Sequence, residues 1–198
     1  VRSQATVNVL EMLAATTVVS APSKKELVVA KDNNGRTPLC VAVQHHASFE
    51  AIQYLMNRYD TVIDPSDACP AATVDVNGNL PLHSAMECQV QVAVVELLLK
   101  RYESAIAKKN NDGNTPLALA LREKLNCDAC LCLFEASCLF QHDDGKEISV
   151  LGIKNNSGLL PLHCAFRSTS ALEWKNVVQQ KVLTGYQIEK PMLLQGTN

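Results

Sequence analysis

Polar clusters, each holding a single glycine, alternate along this chain with apolar stretches whose spacing is helical. The cluster Asp32-Asn33-Asn34-Gly35-Arg36 runs into Thr37-Pro38-Leu39, behind which Leu39, Val41 and Ala42 are apolar. Three more clusters do the same: Asp75 to Asn79 before Leu80-Pro81-Leu82-His83, Asn110 to Asn114 before Thr115-Pro116-Leu117-Ala118, and Asn155 to Leu159 before Leu160-Pro161-Leu162-His163. Behind each short helix a second, more apolar one is predicted, clearest at Val92, Val95, Leu98 and Leu99, and otherwise near 49–59, 127–134 and 172–186.

Each copy is a physical sequence of events. A polar turn needs a positive φ, which Gly35, Gly78, Gly113 and Gly158 adopt without a Cβ clash. A helix then starts with proline in its first turn, where the missing N–H costs nothing. Thr37 and Thr115 stand where a hydroxyl can cap that helix. Leu80 and Leu160 have no such oxygen, so the second and fourth copies are expected to start less firmly.

The pattern Asp-x-x-Gly-x-Thr-Pro-Leu-His-x-Ala, nearly matched four times, resembles the ankyrin repeat family. The resemblance implies an all-α fold, a solenoid of stacked helix-turn-helix units with β-turn or hairpin connections. Repeats are expected at 32–74, 75–109, 110–153 and 154–194, the third with a loop insertion. Residues 1–31 read as the second helix of a preceding repeat, at Val9-Leu10-Glu11-Met12-Leu13, plus a linker. Residues 195–198 read as the start of a following repeat, so the chain is expected to be an excised piece. The prolines lie 43, 35 and 45 residues apart, against a family period of about 33. The excess falls at 60–72 and 140–150, where Pro65, Pro70 and the Asp143-Asp144-Gly145 tip mark exposed loops.

Composition narrows the function. A hydrophobic fraction of 47% and a charged fraction of 19% suit a folded chain. The 18 basic and 20 acidic residues are dispersed, which leaves no footprint for nucleic acid or an anionic membrane. The longest apolar run, Ala14 to Val19, is broken by threonines and is too short to span a bilayer. Eight cysteines lie mostly inside apolar helical patterns rather than in a loop-rich frame, so we expect a reducing, intracellular and cytoplasmic setting, with the nucleus as an alternative.

Candidate chemistry is thin. Cys127, Cys130 and Cys132, with Cys138 and His142 downstream, come nearest to a metal cluster, but the second Cys-x-x-Cys pair is missing and Cys130 falls on the core position of Val95. His83 and His163 occupy a slot that the resemblance gives to a structural imidazole bonded to a neighbouring turn. No nucleophile and orienting acid accompany either histidine, and no glycine-rich phosphate loop is present. We therefore expect no enzymatic activity, cofactor or metal in this segment. Tyr59, Tyr102 and Tyr186 recur at the ends of second helices as packing residues.

The resemblance implies that a protein partner is gripped by the turns and by the exposed ends of the first helices, on the concave side. Carried over, the positions are Asn33, Asn34, Arg36, Gln44 and His45; Val76, Asn77, Asn79, Glu87 and Cys88; Asn111, Asp112, Asn114, Arg122 and Glu123; Asn156, Ser157, Leu159, Arg167 and Ser168. About half of the asparagines are expected to serve the turn backbone alone. The leading expectation is a non-catalytic interaction module or scaffold. The alternative is a substrate-recruiting or autoinhibitory arm of an enzyme whose catalytic domain lies outside these residues. A metal- or redox-responsive switch at Cys127, Cys130 and Cys132 is a third class.

Overall fold

Proline places the start of four short helices, and the residue before the first two is already extended, Thr37 with φ −78° and ψ 163° and Leu80 with φ −76° and ψ 161°. A computed structural model describes residues 29–62, 69–122, 127–139 and 150–167. The short helices are α1 (Pro38–Gln44), α3 (Pro81–Glu87), α5 (Pro116–Arg122) and α7 (Pro161–Arg167); the longer ones are α2 (Phe49–Val62), α4 (Val92–Arg101) and α6 (Cys127–Leu139). Among the described residues the chain is all-helical, with no strand. The expected helices at 9–13 and 172–186, the 143–147 tip, the turn at 196–197, and Glu123, His142 and Ser168 lie outside the described residues. So do the side chains of Tyr59, Cys127, Cys138 and Arg167.

The caps divide the short helices into two kinds. In α1 the Cys40 N–H donates to Thr37 Oγ1 at 3.4 Å, and in α5 the Ala118 N–H donates to Thr115 Oγ1 at 3.3 Å. The leucines before α3 and α7 cannot accept, but the histidine at the third helical position takes over in the reverse sense. The N–H of Leu80 donates to His83 Nδ1 at 3.1 Å, and that of Leu160 to His163 Nδ1 at 3.0 Å. The helices without threonine thus keep a side-chain partner at the cap, which the threonine pattern alone does not reveal. His46 and Gln89, at φ 52° and 54°, turn the chain out of α1 and α3, closed by Ala47 N–H to Ala42 O and Val90 N–H to Ala85 O.

The helices pack in two rows. Each short helix lies against the next, α1 on α3, α3 on α5 and α5 on α7; the long helices α2, α4 and α6 follow the same order behind them. Val43, Ile52, Met56, Leu82, Met86, Val95, Leu98, Leu117 and Leu133 are buried between the rows. Each large apolar side chain so enclosed contributes roughly 1.5–3 kcal/mol relative to exposure. On α4 the inward face is Val94, Val95 and Leu98, with Val92 and Leu99 half-buried at its edge. Cys130 is buried in the same core, at the position expected from Val95, and Tyr102 packs against it.

Short 3-10 turns at Pro70–Ala72, Glu103–Ala107 and Val150–Gly152 precede the second, third and fourth polar turns. They correct the expectation of exposed loops over the whole of 60–72 and 140–150. Residues 60–62 belong to α2, while Pro70, Ala71 and Val150 are buried. Their apolar side chains enter the core, so the chain arrives at these three polar turns anchored rather than free.

Candidate functional site

The four polar turns share one hydrogen-bond scheme. The first residue of each, Asp32, Asp75, Asn110 or Asn155, accepts through Oδ1 from the N–H groups two and four residues on. These bonds measure 2.8–3.1 Å. The same residue's carbonyl accepts from the glycine N–H, as in Gly113 N–H to Asn110 O at 2.9 Å. The turn is thereby fixed from inside.

Consecutive turns are then tied by backbone. The N–H of Val76 donates to Asn34 O at 3.0 Å, that of Asn111 to Asn77 O at 2.9 Å, and that of Asn156 to Asp112 O at 3.1 Å. Side chains reinforce the later junctions. Asn111 Nδ2 donates to Val76 O and Asn156 Nδ2 to Asn111 O, at 3.0 and 2.8 Å. Asn110 Nδ2 donates to Asn79 Oδ1 and Asn155 Nδ2 to Asn114 Oδ1, both at 2.9 Å.

This stacking sorts the residues expected to meet a partner. Asn79 and Asn114, taken as exposed, are buried, because the asparagine that opens the following turn closes over them. Asn111 and Asn156 are exposed, but their amide donors are committed to the preceding turn. Asn33, Asn34, Val76, Asn77, Asp112 and Ser157 are exposed along the turn row, with Val76 60% exposed; His45 and Glu87 are exposed at the ends of α1 and α3, and Cys88 beside Glu87 is half-buried. Arg167 belongs to α7, whose bounds alone can be given for it.

At the first junction the side chains form a different chain. Arg36 Nε donates to Asp32 Oδ2 at 2.8 Å, and its Nη2 lies 2.6 Å from the same oxygen. Arg36 Nη1 donates to Gln44 Oε1 at 2.8 Å, and Gln44 Nε2 to Ser84 Oγ at 3.2 Å. The hydrogen bonds from Arg36 hold the Asp32 carboxyl below its ordinary pKa. Arg36 and Gln44 thus bind α1 to α3.

Beside the bonds that tie the third and fourth turns, the surface is hollowed. Asp112, Asn114, Arg122, Asn155, Asn156, Ser157, Leu159 and Cys164 line a hollow of about 500 Å³. Six of these were singled out from sequence; Asn155 and Cys164 were not. The signal for Asn155 was present, since Asn110 and Asn155 replace the aspartates of the first two turns and bring an extra N–H donor. Nothing in the pattern marks Cys164. A carboxylate, a guanidinium, a hydroxyl and a leucine side chain around one concavity can grip a polypeptide through mixed polar and apolar contacts. A second hollow of about 510 Å³, against Pro38, Val41, Ala42 and Leu55, is mostly apolar-walled and shares only Arg36 with the expected positions.

No family model matches the chain, and no curated protein matches it. Among the described residues no group of three or more histidine, cysteine or acidic side chains could hold a metal ion, and no helix is long and apolar enough to cross a membrane.

Proposed function

We propose that this chain is an ankyrin-type repeat module that binds a protein partner across its turn row and the hollow between the third and fourth turns. The observation that carries this reading is the convergence of Asp112, Arg122, Ser157 and Leu159, from two units, on one concavity of mixed polar and apolar walls. Support for the repeat reading comes from the identical internal bonding of the four turns and the register in which each ties to the next. A curved stack of this kind offers a continuous surface whose specificity lies in the exposed positions.

The test is a pull-down from cell lysate with the 198-residue chain and with a variant carrying Asp112→Ala, Arg122→Ala and Ser157→Ala, none of which is a buried residue. A protein retained by the first and lost from the second, with unchanged helical circular dichroism, is the expected result. Retention of the same proteins by both would remove the hollow as the binding site.

A further inference from the structure

His83 lies outside the hollow but reaches it through one contact. Its ring is 0% exposed, and Nδ1 accepts from the Leu80 N–H, so Nε2 must carry the proton and donate to Asn114 O at 3.1 Å. That carbonyl closes the third turn by accepting from the Asn110 N–H at 3.0 Å. The side chain of Asn114 accepts from Asn155 Nδ2 and lines the hollow. One neutral imidazole therefore holds the start of α3, the third turn and a wall of the hollow.

We propose that His83 is an acid-sensitive latch: neutral, it caps α3 through Leu80, clamps the third turn onto the second unit and keeps the hollow in shape; protonated, it can no longer accept from Leu80 and is driven out of the core, which releases that turn. An imidazolium has two donors and no acceptor, so the Leu80 N–H would face a second N–H across 3.1 Å. Leu80 offers no side-chain oxygen as a substitute. The charged groups facing the ring are few. The Asp75 carboxylate, from the second turn, favours the cation, but its Oδ1 is already bonded to the N–H groups of Asn77 and Asn79. From the end of the second unit, just before the third turn, Lys108 presents its backbone carbonyl. Burial outweighs these and the bond to Asn114 O, which also favours the cation, and draws the ring's pKa from 6.5 down to about 4.

The sign follows. A folded pKa below the unfolded one means that the latch contributes fully above pH 6.5, and its stabilisation is lost as the pH falls from 6.5 toward about 4. The equivalent positions are Cys40, Ala118 and His163. Of these only His163 is also an imidazole, and it is exposed. The device therefore sits at one junction among the described residues.

Two measurements on the 198-residue chain test it. His83→Gln can still accept from Leu80 and donate to Asn114 but does not titrate. Between about pH 7 and pH 5 the unfolding constant of the wild type should rise on the order of twentyfold relative to that of H83Q. Should H83Q fail to fold, the wild type alone decides: the His83 ring should titrate well below 6.5 by NMR. Amide protection at Leu80 and Asn111 should then fall in acid before that at Val76, which spans the first junction. A ring that titrates near 6.5, equal loss at Val76 and Asn111, or the same acid response in H83Q would overturn the latch. The link to the hollow rests on the binding reading above, whereas these readouts need no partner, so the failure of one leaves the other standing.

Discussion

The first junction and the two later ones use the same backbone link but different side chains to close it. Between the first and second units the closure is a chain of charge and amide that runs inward from the surface, Asp32 to Arg36 to Gln44 to the buried Ser84. Between the later units it is a set of asparagine amides, two of whose acceptors, Asn79 and Asn114, are buried. The difference traces to two residues. Asp75 and Val76 stand where the third and fourth turns have asparagines, and neither can donate the side-chain N–H that the ladder uses. A repeat stack can thus keep one backbone geometry while changing how each joint responds to salt, acid and substitution.

The largest expected effect separates the glycines. Gly113 has φ +79°, and a Cβ there would lie 2.6 Å from the backbone N of Asn156 and closer still to its Oδ1. Gly35 has a similar φ of +72°, but a Cβ would meet nothing nearer than the Val76 N at 3.2 Å. Both replacements carry the left-handed strain of about 1–2 kcal/mol. Only Gly113→Ala must also push the next turn away, so it should cost roughly 2–4 kcal/mol, against about 1–2 for Gly35→Ala. Urea unfolding of the two variants checks this; equal losses would mean that the later junctions are no more closely packed than the first.

Sequence made the turns and short helices legible because glycine and proline act on their own backbone. The same local logic located the candidate positions along the turn row. It could not sort them, because burial of Asn79 is decided by Asn110, 31 residues on, and that of Asn114 by Asn155, 41 residues on. The histidine caps were hidden for a related reason. Reading Leu80 and Leu160 as gaps in the threonine pattern overlooked that an imidazole three residues later can accept from their N–H groups. The buried 3-10 turns at Pro70–Ala72 and Val150–Gly152 lay in stretches whose polar neighbours dominated the pattern.

A smaller effect would convert one kind of junction into the other. Val76→Asn restores the donor missing from the second turn, placed to reach Asn33 O as Asn111 reaches Val76 O. It also removes an apolar side chain that is 60% exposed. We expect a gain of about 0.5 kcal/mol, the low end for one net hydrogen bond at an exposed site. The sharper consequence is coupling: with an asparagine there, Gly35→Ala should become costlier, as it meets the amide that crowds Gly78 and Gly113. A double-mutant cycle by urea unfolding reads this directly, and strict additivity would show that the amide is not what brings consecutive turns together.

The smallest effect belongs to the exposed charge pair. Asp32→Asn keeps the Oδ1 acceptor that organises the turn, as Asn110 and Asn155 do naturally, but removes the charge facing Arg36 and replaces the Oδ2 acceptor of the Arg36 bonds with an amide donor. At low ionic strength its unfolding midpoint should fall slightly below that of the wild type, and the gap should close in concentrated salt, which screens surface pairs. Acid should act in the same direction. The folded pKa of Asp32 lies below 3.8, so its stabilisation is complete above that value and disappears as the pH drops through the lowered one. This window lies beneath the one assigned to His83, so the two junctions should loosen at different stages of an acid titration followed by amide exchange. A gap between wild type and Asp32→Asn that salt leaves unchanged would mean that the first junction is held by the geometry of its hydrogen bonds rather than by charge, and the contrast between the junctions would then be one of burial alone.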